Sequence, residues 1–362
     1  MHKKMLWILF ITLSLASVVA AGCGGEEPTA TPAASEEVQI PSTVADSPLP
    51  TPTEPAAGIL DSPLPTPVAE TGEMQVLRMA LLPVLDVLPF HVADQNGYFE
   101  QAGVQVELVP IKSAQERDTL MQTGQIDGML TDLLSPVLFN QTEEQVKAVR
   151  TARKVYPDSP LFSLLAAPGS EIQSPQDLAG VEIGISQNTV IEYLTDRMLE
   201  NAGLTPEQIA TQEVSAIPVR FELLVNGQIP AAVLPEPLTS GAIAAGAVLV
   251  VDDTSVPELS QSILAFSSEA LETKPDAVRR FLQAWELAVG ELNENPEAYR
   301  TLLIEEGRVP ASVQDTFQMP PFPEAGVPTP EQLADVIQWS LEKGLVQNDV
   351  PYEWMVDDSY LP

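Results

Sequence analysis

Cysteine and histidine are almost missing from this chain: its 362 residues include one cysteine, Cys23, and two histidines, His2 and His91. A zinc cluster cannot be assembled from that set. Nucleophilic catalysis narrows to a Cys/His pair that would have to use Cys23, or a Ser/His/Asp triad that would have to use His91. A carboxylate-only mechanism has no motif behind it, so no catalytic residue, metal or cofactor is assigned. Positive charge is also scarce, with 17 basic against 51 acidic residues and a net charge of -34. There is no cationic stripe to displace phosphate counterions, which excludes nucleic acid as a partner. The same deficit excludes a polybasic patch for anionic lipid. A chain of this length outgrows a single core, so two lobes with appendages are expected.

Residues 1–22 read as a secretion signal. His2, Lys3 and Lys4 form a basic start, and Met5 to Val19 is an apolar run too short to span a bilayer. The junction Val19-Ala20-Ala21-Gly22-Cys23 resembles a bacterial lipobox, with Ala20 where leucine is commonest. That resemblance implies cleavage before Cys23 and acylation of its sulfur, with several acyl chains giving stable anchoring. Residues 23–74 read as a tether: from Gly24 to Glu73 the chain is rich in Pro, Thr, Ser, Ala and Glu and has no Lys or Arg. Such a composition cannot bury enough apolar surface to fold. The heptapeptide DSPLPTP occurs at Asp46–Pro52 and again at Asp61–Pro67, a low-complexity duplication. Proline-biased chain of about 50 residues reaches on the order of 40 to 100 Å.

The most informative stretch of the remainder is Gly180–Gly203. Val181, Ile183 and Ile185 alternate as in a buried strand; Val190, Ile191, Leu194, Met198 and Ala202 then recur at helical spacing, and Gly203 closes the helix. Thr189 and Glu192 form a capping box, so the helix starts near Thr189. Ser186, Gln187 and Asn188 lie between the strand's carboxyl end and the helix, where open α/β sheets bind ligands. An ordinary capping turn has the same composition.

Around that stretch, strand and helix alternate. Strands are expected at Val76–Leu82, Val104–Val109, Ile126–Leu130, Val146–Thr151, Ala231–Leu234 and Ala247–Val251; helices at Pro89–Gln95, Ser113–Thr123, Leu133–Asn140 and Pro218–Asn226, with helix starts at Ser174 and Thr205. This order predicts an α/β fold with largely parallel, doubly wound sheets. Leu161–Ala167 reads as a crossover to a second lobe and Gln261–Phe266 as the return, giving two crossover strands and a hinge. An echo 103 residues apart, Thr123-Gly124-Gln125-Ile126 against Asn226-Gly227-Gln228-Ile229, ends on Asp132 and Glu236 respectively and points to similar lobes. The expected division is lobe I over 75–168, lobe II over 169–255, and a return to lobe I over 256–362. The last part carries helices at Pro275–Asn293, Pro296–Ile304 and Thr329–Lys343, then an irregular tail from Leu345 to Pro362. Trp285, Trp339 and Trp354 are expected to pack these helices on the first lobe rather than to stack on a ligand.

Four segments together resemble a known family. They are Leu88-Pro89-Phe90-His91-Val92-Ala93 with Asn96-Gly97-Tyr98-Phe99 and Gly103-Val104; Gly124-Gln125-Ile126-Asp127; Asp177-Leu178-Ala179-Gly180 with Ile183-Gly184-Ile185; and Leu234-Pro235-Glu236-Pro237. Their order and spacing over Gln75–Leu345 are similar to those of the SsuA/THI5-like (NMT1-like) periplasmic solute-binding proteins of nitrate, sulfonate and thiamine-precursor transport. The resemblance implies a two-lobed periplasmic binding protein-like fold (type II), monomeric and extracytoplasmic, held by lipid in the periplasm or on the outer face of the cell membrane. It implies delivery of a small solute to the permease and ATPase of an ABC importer.

Carried over by position, the ligand would touch Leu85, Asp86, Pro89 and Phe90 after the first strand, Thr131 and Asp132, the turn Ser186, Gln187, Asn188, Thr189 and Val190, and Glu236 with Pro237. Asp86, Asp132 and Glu236 depart from the anion-binding members and favour an amine-bearing or pyrimidine-like solute, unless Arg117, Arg150 or Arg153 pairs with them. The alternative is a sulfonate or nitrate-type anion on the Ser186 turn. The same fold hosts a fungal thiamine-pyrimidine synthase that depends on a histidine and a cysteine-rich motif, and a menaquinone-pathway dehydratase. The folded part here has His91 and no cysteine, so a binding protein is expected over a cleft enzyme or a ligand sensor.

Overall fold

The computed structural model describes residues 74–362. The signal, the lipobox with Cys23 and the tether up to residue 73 lie outside the described residues. Ten strands follow in order: β1 (Val76–Leu81), β2 (Gln105–Pro110), β3 (Gly128–Asp132), β4 (Val146–Lys154), β5 (Phe162–Ala166), β6 (Glu182–Ile185), β7 (Ala210–Glu213), β8 (Ala231–Pro235), β9 (Val248–Asp252) and β10 (Gln261–Ser267). They form two five-stranded sheets, ordered β2-β1-β3-β10-β4 and β7-β6-β8-β5-β9. In each, the first three strands run parallel and the fourth is antiparallel to both of its neighbours. This is the two-lobed α/β architecture that the alternation predicts.

The helices are α1 (Leu88–Gln95), α2 (Tyr98–Ala102), α3 (Ala114–Gln122), α4 (Leu134–Phe139), α5 (Val190–Asn201), α6 (Ile217–Val225), α7 (Leu238–Ala244), α8 (Ser268–Thr273), α9 (Pro275–Glu294), α10 (Arg300–Glu305), α11 (Pro330–Glu342) and α12 (Tyr352–Met355). The 103-residue echo has a structural basis. Gly124 after α3 and Gly227 after α6 both take left-handed φ, 65° and 66°, and each leads into the third parallel strand of its sheet. A side chain at either position would strain the turn.

Leu161–Ala167 is more than a crossover. Phe162–Ala166 is β5, antiparallel between β8 and β9 in the second sheet. Ser163, Leu164, Leu165 and Ala166 are buried, and a short continuous apolar run of this kind does not by itself distinguish a central strand from a connector. The chain therefore passes between sheets at 155–161 and 253–260. Asp253 joins both passages: its carboxylate accepts hydrogen bonds from the Leu161 and Phe162 amides at 3.1 and 3.0 Å and from the Ser260 hydroxyl at 2.5 Å. Burial pushes Asp253 up to about 7, against the pull of these three donors.

Two elements had no clear sequence signal. β7 reads Ala-Thr-Gln-Glu on an edge without apolar alternation, and α7 reads Leu-Thr-Ser-Gly-Ala-Ile-Ala, poor in strong helix formers. The starts at Ser174 and Thr205 lead only to single 3-10 turns, Pro175–Leu178 and Pro206–Gln208.

The C-terminal region also departs from expectation. Trp285 of α9 does pack on the first sheet's helices, edge-on to Phe90 at 4.8 Å. Trp339 of α11 packs instead on α5, edge-on to Tyr193 at 5.4 Å, with its indole donating to Asp196 at 2.8 Å. The tail is docked rather than loose: Met355 is buried, Val356 bridges Ala148, and the Tyr360 hydroxyl donates to the Leu271 carbonyl at 3.0 Å. Its apolar residues have no period because each fills a separate site on a surface already built.

A carboxyl group held near 7 when folded, against about 4 when unfolded, stabilises the fold most below that window and progressively less as pH rises through it. Asp253→Asn is therefore expected to unfold with a shallower pH dependence between about pH 4 and 7 than the parent chain. Parallel melting curves across that range would contradict this account.

Candidate functional site

The carboxyl ends of β1, β3, β6 and β8 converge on a cavity of about 70 Å³. Its walls come from the loop after β1 (Leu82, Val84, Asp86), from Thr131 and Asp132, from Ser186, Thr189, Val190 and Ile191 at the start of α5, from Pro235 and Glu236, and from Gln261 and Ser262 at the start of β10. This follows from the topology, since parallel strands of one sheet present their carboxyl ends, and the loops that follow them, on one edge.

Of the residues expected in the pocket, Asp86, Thr131, Asp132, Ser186, Thr189, Val190 and Glu236 line this cavity. Leu85 lines an adjoining cavity of about 480 Å³. Phe90 is wholly buried between Phe281 and Trp285, a core residue. Pro89 is buried in the first turn of α1, and Pro237 precedes α7; neither lines these cavities. Gln187 and Asn188 are exposed and outside both. They turn outwards because their backbone amides are held from below, Gln187 by Glu213 at 2.7 Å and Asn188 by Glu192 at 2.7 Å. The cap is also offset from the expected box: the Thr189 hydroxyl accepts from Ile191 N, while Glu192 reaches one residue further back than the helix's own cap, with Asn188 at φ 56°.

The electrostatics differ from three free carboxylates. Asp86 accepts a 2.9 Å hydrogen bond from the Arg153 guanidinium, and both are buried. Asp132 lies 3.8 Å from Arg117, which also donates to the Ser135 hydroxyl at 2.8 Å. Burial pushes Asp132 up, with Arg117 opposing. Glu236 is likewise pushed up by burial, and its partners are the Ser240 amide and hydroxyl at 3.2 and 3.0 Å. Arg150 pairs with Glu286 at 2.7 Å, away from these walls. Asp86 is thus paired in place, Asp132 shares Arg117 with Asp118, which holds the guanidinium at 2.8 Å, and Glu236 has no basic partner among the described residues. The site does not present three equivalent free carboxylates, and charge alone is a weaker case for an amine.

Hydrogen-bonding capacity remains. Arg153 Nε and Ser262 Oγ are buried and have no partner among the described residues, a state that costs roughly 1–3 kcal/mol per group unless a ligand or water supplies one. Sequence reasoning named Arg153 and Arg117 only as partners for the acids, and it missed Gln261, Ser262, Phe162 and Ile217 as wall residues. The pattern of β4, Val-Lys-Ala-Val-Arg-Thr-Ala-Arg-Lys, did not single out Arg153, because five of its nine residues are polar or charged.

Asp86→Ala would leave Arg153 buried without its counterion, and urea unfolding is expected to show a loss of about 3–5 kcal/mol. The paired replacement Asp86→Leu with Arg153→Met should recover most of it. A single-variant loss below about 1 kcal/mol would place the pair among solvent-screened contacts.

Comparison with known proteins agrees with this geometry. The family described as NMT1/THI5 like matches residues 85–299. The riboflavin-binding protein RibY of Chloroflexus aurantiacus is 24% identical over 261 residues, 68% of this chain and 70% of that protein. A formylaminopyrimidine-binding protein of Halalkalibacterium halodurans is 28% identical over 146 residues, 40% of this chain and 42% of that one. Among solved structures, the alkanesulfonate-binding protein SsuA from Xanthomonas axonopodis pv. citri superposes with a TM-score of 0.67 at 18% identity, covering 79% of this chain and 99% of that structure. Since the family match spans more than half of the sequence, the chain belongs to the NMT1/THI5-like family.

Proposed function

We propose that this chain is the extracytoplasmic solute-binding component of an ABC importer, that it is lipid-anchored through Cys23, and that it captures an uncharged, pyrimidine-like solute without turning it over. The observation that carries the reading is the cavity between two sheets, with apolar side chains from both, in which Arg153 Nε and Ser262 Oγ are buried and unpartnered among the described residues. A heteroaromatic ring with carbonyl and ring-nitrogen acceptors satisfies such donors and fills a narrow apolar slot. The relatives named for riboflavin and formylaminopyrimidine support the same chemistry. In this reading lobe I holds 75–168 and 256–362 and lobe II holds 169–255, with β5 contributed to the second sheet. The two lobes meet over the solute, and the protein acts as a monomer that presents the closed form to a permease and its ATPase. Neither histidine nor cysteine lines the cavity, which favours capture over chemistry.

One observation favours the anion alternative. Arg220 is fully buried behind the Ser186 turn, donating to Ser186 Oγ at 3.0 Å and to the Val214 and Val233 carbonyls, with Nη2 unpartnered. Burial lowers it to about 10. A positive charge without a bonded carboxylate strengthens the turn's attraction for a sulfonate.

Calorimetric titration against pyrimidines, riboflavin, polyamines, sulfonates and nitrate distinguishes these readings. Saturable binding of a ring compound, recovered chemically unchanged and weakened at least tenfold by Ser262→Val, is expected; binding confined to anions would overturn the ring reading. Independently, Cys23→Ser should shift the protein from the membrane fraction to the soluble extracytoplasmic fraction, and continued membrane retention would remove the lipid anchor.

A further inference from the structure

The larger adjoining cavity is not used by the reading above. Its volume is about 480 Å³, and its walls include Leu85, the link residues Asp158–Pro160, the α7 residues Ser240, Ile243 and Ala244, and the irregular segment Val313–Pro321. It shares Arg153 and Glu236 with the inner cavity. The outer wall is built rather than loose, because Arg300 donates to the Gln314 and Phe317 carbonyls and holds that segment in place. The inner cavity alone, at about 70 Å³, is well below the roughly 300–1,000 Å³ typical of small-molecule pockets. The outer cavity lies within that range, and the shared residues Arg153 and Glu236 join the inner space to it.

We propose that the two spaces are one site with a waist at Arg153 and Glu236, and that its solute is elongated: a flat hydrogen-bonding ring in the inner space, a polar chain in the outer one. The proposal rests on the solute-binding reading of the same cleft. The inner walls offer apolar faces from Leu82, Val84, Phe162 and Ile217 with few polar atoms, as a ring requires. The outer walls carry Ser159, Ser240, Thr316 and Gln318 beside Ile243 and Phe317; the Ser240 and Thr316 hydroxyls and the Gln318 amide already donate within the protein, which leaves their oxygens to accept from a hydroxylated or amide-bearing chain. At the waist, Arg153 is already paired with Asp86, and its free Nε is a directional donor. Glu236, bonded to Ser240, is the acceptor opposite in chemistry.

The test compares the same ring with and without its chain: riboflavin against lumichrome, and uridine against uracil, titrated into the full chain. The chain-bearing member of at least one pair should bind tenfold or more tightly than its bare ring. Ala244→Phe, a substitution at an exposed α7 position facing the outer space, should erase that advantage while leaving the bare ring's affinity within twofold. Gln318→Ala should reduce it severalfold, with the melting temperature of both variants unchanged. Equal affinities of ring and ring-plus-chain would overturn the waisted site and leave the receptor reading intact. Binding of sulfonate or nitrate with no ring compound bound would overturn both.

Discussion

Asp253 is the point at which both passages of the chain between the sheets are fixed. Its two oxygens collect amides from the outward link and a hydroxyl from the return link, so the two connections cannot slide independently. The strands they join, β4 beside β10 and β5 beside β9, are hydrogen-bonded neighbours in their sheets. The relation between the two sets of strand ends, and hence the cavity between them, follows from that arrangement. A carboxylate in so buried a place costs stability by desolvation, and it is retained where neutral side chains would not bind three donors at once.

The cavity follows a related logic with charges in pairs. Asp86 with Arg153 and Asp132 near Arg117 place ionic groups at the walls without giving the space a strong net sign. Such pairs contribute little net stability, because desolvation offsets most of their attraction. What they provide is a rigid set of donors and acceptors. The same pairing tempers, at the binding space, the acid excess of a chain of net charge -34, because Arg117, Arg150, Arg153 and Arg220 are used at buried positions.

The C-terminal helix α11 links these features. Lys343 contacts Glu192 at 3.1 Å and Asp196 at 2.8 Å, and Arg197 and the Tyr193 hydroxyl both meet Asp335. Glu192 holds the Asn188 amide with its other oxygen. The turn that leads into the cavity is therefore braced from a helix distant in sequence, while α12 and the residues after it dock on β4 and α8.

Local order was legible in the sequence wherever period and punctuation agree. Val181–Gly203 folds as its alternation, cap and glycine indicate, and the repeated helix-Gly-strand phrase at Gly124 and Gly227 marks equivalent places in two like sheets, because a left-handed turn demands the same residue in both. The family segments likewise carried the architecture and the candidate strand ends. Three matters were decided only by tertiary structure: that Phe162–Ala166 is a strand of the second sheet, that Gln187 and Asn188 turn away from the cavity, and that Asp86 and Asp132 stand against Arg153 and Arg117. The reason is common to all three. Periodicity reports which face of an element is apolar, whereas the partner of a buried charge and the neighbour of a buried strand lie far away in sequence, and only the folded chain brings them together.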